Sequence, residues 1–173
     1  QTAAPNVYWT DGYGRVSYTT NSIISPVVKI ALKEFAGDMK AVTGLEAKEK
    51  SGAPIQIYQL DQLSNKEFSA VEKLGAPLHL IITGKDAFYI GTRKKKVIVI
   101  GSNARGTAYA IMKLSELAGV SPLMAWNDLQ PAQRKSLYTP VDQQWIEIPR
   151  IEFRGLALNN SQWMKPQNYS RIA

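Results

Sequence analysis

Residues 95–122 read KKVIVIGSNARGTAYAIMKLSELAGVSP, and this stretch decides the fold. Val97-Ile98-Val99-Ile100 is a short β-branched apolar run closed by Gly101, the pattern of a buried strand. A helix follows within a few residues. Ser102 or Asn103 can offer a side-chain oxygen to its first free N–H groups, and Ala110, Ile111, Leu114, Leu117 and Ala118 then recur along one face at helical spacing. Gly119 takes the left-handed conformation that ends a helix, and Pro122 keeps it from resuming.

A glycine-rich turn between strand and helix invites a nucleotide-binding reading, and the residues reject it. Gly101 and Gly106 have the spacing of a phosphate loop, but Thr107 stands where the phosphate-contacting lysine belongs, and no G-x-G-x-x-G occurs.

Working outward, residues 1–11 read as an irregular lead-in, and residues 15–19 alternate weakly, as an edge strand does. Ser25 reads as an N-cap with Pro26 at the first helical position. Val27, Ile30, Ala31, Phe35 and Met39 form the expected apolar stripe of a helix running to Thr43, with Gly44 as its stop. Residues 46–53 are a polar loop. Residues 55–59 alternate as a half-buried strand does. Residues 61–74 suggest a short helix, residues 78–83 a strand, and residues 87–91 a strand that joins 97–100 in a hairpin through Arg93-Lys94-Lys95-Lys96. Units of βα type plus a hairpin predict an α+β domain with a mixed β-sheet and packed helices. Residues 123–150 scatter Trp126, Pro131, Pro140, Trp145 and Pro149 among polar residues and read as a linking arm after a domain of residues 1–122.

A chain of 173 residues is long enough for one domain with a sizeable core. Its 45% apolar and 20% charged residues are ordinary globular values. A net charge of +7 admits nucleic acid, a membrane surface or an acidic glycan as partner without choosing among them. The basic run 93–96 reads as a solvated hairpin turn. The absence of cysteine excludes disulfides and thiolate chemistry. His79 is the single histidine, flanked by Leu78 and Leu80 in the expected strand, and reads as structural; too few ligands remain for zinc, and no cofactor or metal is expected. The start Gln1-Thr2-Ala3-Ala4-Pro5 lacks an initiator Met and an apolar signal core, as expected of a mature periplasmic or secreted chain. No apolar run approaches the ~20 residues that span a bilayer.

The segment from Val99 through Ile111, with Leu114-Ser-Glu-Leu-Ala-Gly-Val-Ser-Pro122 and Trp126-Asn-Asp128, resembles the signature G-S-D-x-R-G-T-x-Y-G-I-x-x-L-S-E-x-x-G-V-S-P-x-x-x-W-x-D of glycoside hydrolase family 115, the xylan α-glucuronidases. The resemblance covers most of the chain and weakens before Pro26. It implies a two-layer sandwich of sheet and helices, like the accessory N-terminal domains of hexosaminidases and α-glucuronidases, ahead of a TIM-barrel catalytic domain. Phe153-Arg-Gly-Leu-Ala-Leu-Asn-Asn160 is similar to the first barrel strand, so residues 151–173 would begin that barrel. The implied function is a non-catalytic domain of a hydrolase acting on glucuronic acid-substituted xylan, inactive by itself. The competing reading is a carbohydrate-binding or structural module without hydrolase activity. The implied partner is a polysaccharide or a uronic-acid-bearing oligosaccharide, with no nucleic acid.

Glycoside hydrolysis needs two carboxyl groups roughly 5 to 9.5 Å apart. Asp128, Asp142, Glu147 and Glu152 have no spacing that forces such a pair, and the family's catalytic groups lie on later barrel strands; no catalytic residue is assigned. The substrate-contact candidates are Asn159 and Asn160 at the end of the barrel strand, Trp126 as a stacking face, Asp128 beside it, and Arg105 at a helix N-terminus, where an anion is favoured. The family has an acidic residue where this chain has Asn160. The plainer reading of Trp126 is packing between arm and domain, and that of Arg105 a solvated or locally paired surface cation. The 151–158 strand needs a neighbour for its edge, and a homodimer contact is one way to supply it.

Overall fold

The computed structural model describes residues 5–124 and 129–151. In chain order the elements are β1 (Asn6–Tyr8), β2 (Ser17–Thr20), α1 (Pro26–Thr43), β3 (Lys48–Glu49), β4 (Ile55–Gln59), α2 (Asn65–Glu72) and α3 (Leu78–Thr83). They continue through β5 (Phe88–Arg93), β6 (Lys96–Gly101), α4 (Ala104–Leu117), β7 (Tyr138–Pro140) and β8 (Gln144–Glu147). This is an α+β domain with a mixed sheet of order β3-β2-β4-β6-β5-β8. β2, β4 and β6 run parallel, while β5 is antiparallel to both β6 and β8. The β5–β6 hairpin turns at Lys94-Lys95, with Lys94 at φ 53.

Strand alternation divides the core between the two faces of the sheet. Ile55, Ile57, Val97, Val99, Phe88 and Ile90 face α1 and α4, whose Val28, Phe35, Met39, Ile111 and Leu114 close the larger cluster. Tyr89, Ile98 and Ile100 point the other way and meet Val71 of α2 and Ile81 of α3. α1 and α4 are therefore the principal cover, and the two shorter helices cover the second face.

Both long helices have the bounds their sequence implies. Gly44 at φ 82 closes α1, and Gly119 at φ 97 follows α4. Asn103, not Ser102, caps α4: its Oδ1 accepts from Gly106 N at 2.9 Å. The two loop glycines are explained by close packing. A Cβ on Gly101 would lie 2.2 Å from Thr107 N, and one on Gly106 would lie 2.4 Å from the carbonyl oxygen of Ala87. The turn is pressed onto its own strands, and Thr107 Oγ1 donates to the Asn103 carbonyl at 2.8 Å.

Several local expectations are corrected. His79 lies in a helix, α3, with its side chain exposed; the run 78–83 packs through the buried Ile81 and the half-buried Leu78 and leaves Leu80 and Ile82 outside. Of the expected α1 stripe, Ala31, Phe35 and Met39 are buried, while Val27 and Ile30 are exposed and Val28, Leu32 and Val42 are buried in addition, because the helix must also meet α4. Ser25 does not cap α1 with its side chain; its Oγ accepts from Gln59 Nε2 at 2.7 Å. β4 is buried on both faces, being central to the parallel part of the sheet. β2 is paired on both sides, with the two-residue β3 taking the edge inside the expected polar loop. The helix expected over 61–74 is confined to α2, behind a 3-10 turn at Leu60–Gln62.

Residues 129–151 also contribute to this body. β8 extends the sheet beside β5, and β7 pairs with β1 in a separate ribbon. Trp9 is buried under that ribbon, its Nε1 donating to Thr139 Oγ1 at 3.1 Å, with Leu137 buried alongside.

Candidate functional site

Three polar clusters lie where chemistry has room. The first surrounds the α4 N-terminus. Asp86 is buried at φ 58, and its Oδ1 accepts from Asn103 Nδ2 at 2.9 Å and from Arg105 Nε at 3.1 Å. Arg105 Nη2 lies 2.8 Å from Asp86 Oδ2, completing a two-point contact. Arg105 thus meets a carboxylate of its own chain, the local pairing that sequence offered as one of its two roles.

The second cluster lies at the C-terminal ends of β2 and β4, the end at which open parallel sheets usually hold ligands. Gln59 is fully buried; its backbone N donates to Asn21 Oδ1 at 3.0 Å, and its Nε2 to Ser25 Oγ and Asp61 Oδ1, each at 2.7 Å. Its Oε1 accepts from Ser25 N at 2.9 Å. The side-chain amide has protein partners at both ends, so this cluster fastens β4 to the start of α1.

The third is a groove of about 270 Å³ along the flank of α4. Tyr109, Lys113, Ser115 and Glu116 of α4 line it, with Asp38 of α1, Phe88 of β5 and Glu147 of β8 closing the sides. Lys113 Nζ and Glu116 Oε1 are paired at 2.9 Å at the rim. Asp38 is 1% exposed. Ser115 is 4% exposed, and its Oγ makes no hydrogen bond among the described residues. Sequence reading missed Asp38 and Ser115; the available signal was a polar residue beside each apolar stripe, next to Met39 and Leu114, where a surface position would not interrupt the core.

Trp126, Asp128, Asn159 and Asn160 lie outside the described residues, as does the strand at 153–160. Glu147 and Asp142 are exposed. Among the described residues, no group of His, Cys, Asp and Glu is placed to hold a metal ion, and no helix is long and apolar enough to cross a membrane.

A mixed six-stranded sheet with two long helices on one face and two short ones on the other defines the class: an α+β domain of the kind found in glycoside hydrolases. The chain is similar to a solved family 115 4-O-methyl-α-glucuronidase, described as specific for decorated arabinogalactans, at 25% identity and TM-score 0.73, over 86% of this chain and 19% of that one. It shares its fold with the Streptomyces plicatus β-hexosaminidase at 13% identity and TM-score 0.55, over 88% of this chain and 25% of the enzyme. The Flavobacterium johnsoniae chitobiase is similar at 16% identity and TM-score 0.53, over 95% and 22% respectively. The chain therefore spans about a fifth to a quarter of the length of these proteins. No family model matches the sequence, and no curated protein does.

Proposed function

We propose that this chain is the non-catalytic N-terminal domain of a periplasmic or secreted glycoside hydrolase that releases 4-O-methylglucuronic acid from a plant polysaccharide, and that it has no activity alone. The observation that carries this reading is the 0.73 TM-score to the family 115 enzyme over 86% of the chain, together with the signature at 99–128. Glucuronoxylan is the substrate the sequence resemblance favours. The neighbour's stated specificity favours an arabinogalactan bearing the same uronic acid, and the shared chemistry is the α-linked glucuronate.

The domain's role is to support the catalytic domain and to hold polysaccharide near it, without nucleic acid as partner and with a homodimer as its form of self-association. The test is uronic acid release from glucuronoxylan and from decorated arabinogalactan, by the longer gene product and by residues 1–173. Release by the longer protein alone is expected. Release by this chain would overturn the accessory role, and no release from either polymer by the longer protein would leave a carbohydrate-binding or structural module as the better account.

A further inference from the structure

We infer that the basic end of the sheet, Lys73 with Arg93, Lys94, Lys95 and Lys96, holds an acidic polysaccharide through its uronic carboxylates. The choice of polymer rests on the polysaccharide-directed function proposed above; the existence of the surface rests on where these cations stand. Arg93 and Lys96 are direct partners across the β5–β6 hairpin, and Lys94 and Lys95 form its turn. Arg93 Nη1 donates to the Leu74 carbonyl at 3.4 Å, its guanidinium lying against Gly75, which has no side chain to displace it. That contact brings Lys73, the residue that closes α2, to the same end. All five residues are exposed, and none of the four lysines has a carboxylate partner among the described residues. Glu72, next to Lys73 in the chain, offsets a single charge and leaves the end cationic. Lys50 stands nearby on the turn that leads to Pro54, whose carbonyl accepts from Val97 N at 2.9 Å, but its charge already acts on Asp11.

Folding alone does not call for these residues. Like charges directly opposite on neighbouring strands repel, and Arg93 and Lys96 are so placed. Lys94 takes φ 53, a left-handed conformation that glycine or asparagine adopts at less cost. Lysine often guards the free edge of a sheet, but β5 and β6 each have a strand on both sides, so no edge here needs it. A hairpin closed by neutral turn residues would be more stable, and cations kept at that cost point to a partner.

Lysine suits carboxylates at irregular spacing. Its ammonium is a point charge on a flexible stem, without the planar fork by which arginine grips a single carboxylate. A polymer carrying several uronates therefore engages several lysines at once, and linked contacts that are weak singly act together.

The experiment measures binding of the 173-residue chain to immobilised glucuronoxylan, to the same polymer with its carboxyl groups reduced to alcohols, and to a DNA duplex. Wild type is compared with the triple variant Lys94→Asn, Lys95→Gln, Lys96→Gln and with a charge-matched control, Lys29→Gln, Lys33→Gln, Lys66→Gln, at exposed positions elsewhere. Wild type should bind glucuronoxylan, weaken steeply between about 50 and about 300 mM salt, and ignore the reduced polymer. The hairpin variant should bind about tenfold more weakly, as the loss of three exposed ion pairs gives, and the control should match wild type. The hairpin variant's melting temperature should be unchanged or raised, so weaker binding cannot be ascribed to misfolding. An equal loss in the control would show that net charge alone is responsible and would overturn the surface, as would no binding to glucuronoxylan. Equal binding to the reduced polymer, or tighter binding to DNA through the same lysines, would overturn the assigned partner. Uronic acid release by the longer protein is a separate readout, so either proposal can fail alone.

Discussion

Arg105 and Asp86 are joined at two points, Nη2 to Oδ2 at 2.8 Å and Nε to Oδ1 at 3.1 Å, tying the first turn of α4 to the loop between α3 and β5. The pair is asymmetric, with the Asp86 side chain 3% exposed and that of Arg105 53% exposed. Removing the buried partner is therefore the worse change. Asp86→Ala leaves Asn103 Nδ2 and the guanidinium without their acceptor and places alanine at a positive φ, a total of about 2 to 3 kcal/mol. Arg105→Ala leaves Asp86 with the Asn103 amide and costs about 1 kcal/mol once solvent screening is allowed for. Urea unfolding of both variants checks the order; an Arg105 variant less stable than the Asp86 variant would refute it.

Glu67 carries a pH signature. Its carboxylate accepts from the Ser64 hydroxyl at 2.6 Å, the Ser22 N at 2.8 Å and the Ser64 N at 2.9 Å. These bonds, the Ser64 hydroxyl first, hold its pKa at about 2 against an ordinary 4.5. A folded pKa below the unfolded one adds stability that is complete above pH 4.5 and is lost as the pH falls towards 2. Because the group is largely solvated, the contribution is about 1 kcal/mol. Glu67→Gln keeps the reciprocal cap of α2 in place, so the variant should be about 1 kcal/mol less stable than wild type at pH 7 and equal to it near pH 2. A constant gap across that range would show that the charge of Glu67 has no part in the cap.

Burial assigns the two faces of the sheet separate tests. Leu114 is fully buried between α4, α1 and the sheet, and Leu114→Ala should cost about 2 to 5 kcal/mol. Ile81 is the one buried residue of α3, so Ile81→Ala should cost about as much, while Ile82→Ala, at a 53% exposed position, should cost under about 0.5 kcal/mol. Equal effects at 81 and 82 would contradict the orientation of α3.

The same residues show what the sequence could and could not reveal. β6 and α4 were legible because apolar period, cap and glycine stop all agree over 97–119. The run 78–83 was not, since a six-residue stretch of apolar and β-branched residues interrupted only by His79 satisfies a strand and a short helix equally, and only the sheet face presented by Tyr89, Ile98 and Ile100 decides for a helix. Gln59 fits the alternation of a strand, yet its burial among Asn21, Ser25 and Asp61 depends on residues up to 38 positions away. The groove was invisible for that reason too: Asp38, Ser115 and Glu147 meet only after α1, α4 and β8 are placed around Phe88.

The last prediction concerns residues 129–151, nearly all of which fall within the 123–150 segment that sequence reading treats as an arm. Core packing, side-chain hydrogen bonds and strand pairing fix them to the body of the domain. Leu137 is 3% exposed in the main core, beside Trp9. Thr139 Oγ1 accepts from Trp9 Nε1, the buried donor that would otherwise go unsatisfied. Thr92 of β5 donates from Oγ1 to the Pro140 carbonyl at 2.7 Å and accepts there from Gln143 N at 2.9 Å, while β8 pairs along β5 from Gly91 to Phe88. Truncation after Pro122 would expose Trp9, remove Leu137 and leave β5 as a bare edge. Each of the first two costs about 2 to 4 kcal/mol, so their sum approaches the whole stability of an ordinary domain, about 5 to 15 kcal/mol. A chain of residues 1–122 should therefore be unfolded or aggregated at 37 °C, while residues 1–151 should melt cooperatively near the full chain, as followed by circular dichroism and by hydrogen exchange at Tyr89 and Ile90. A cooperative melt of residues 1–122 within a few degrees of the longer chain would show that the domain ends at Pro122 and that 129–151 is an arm after all.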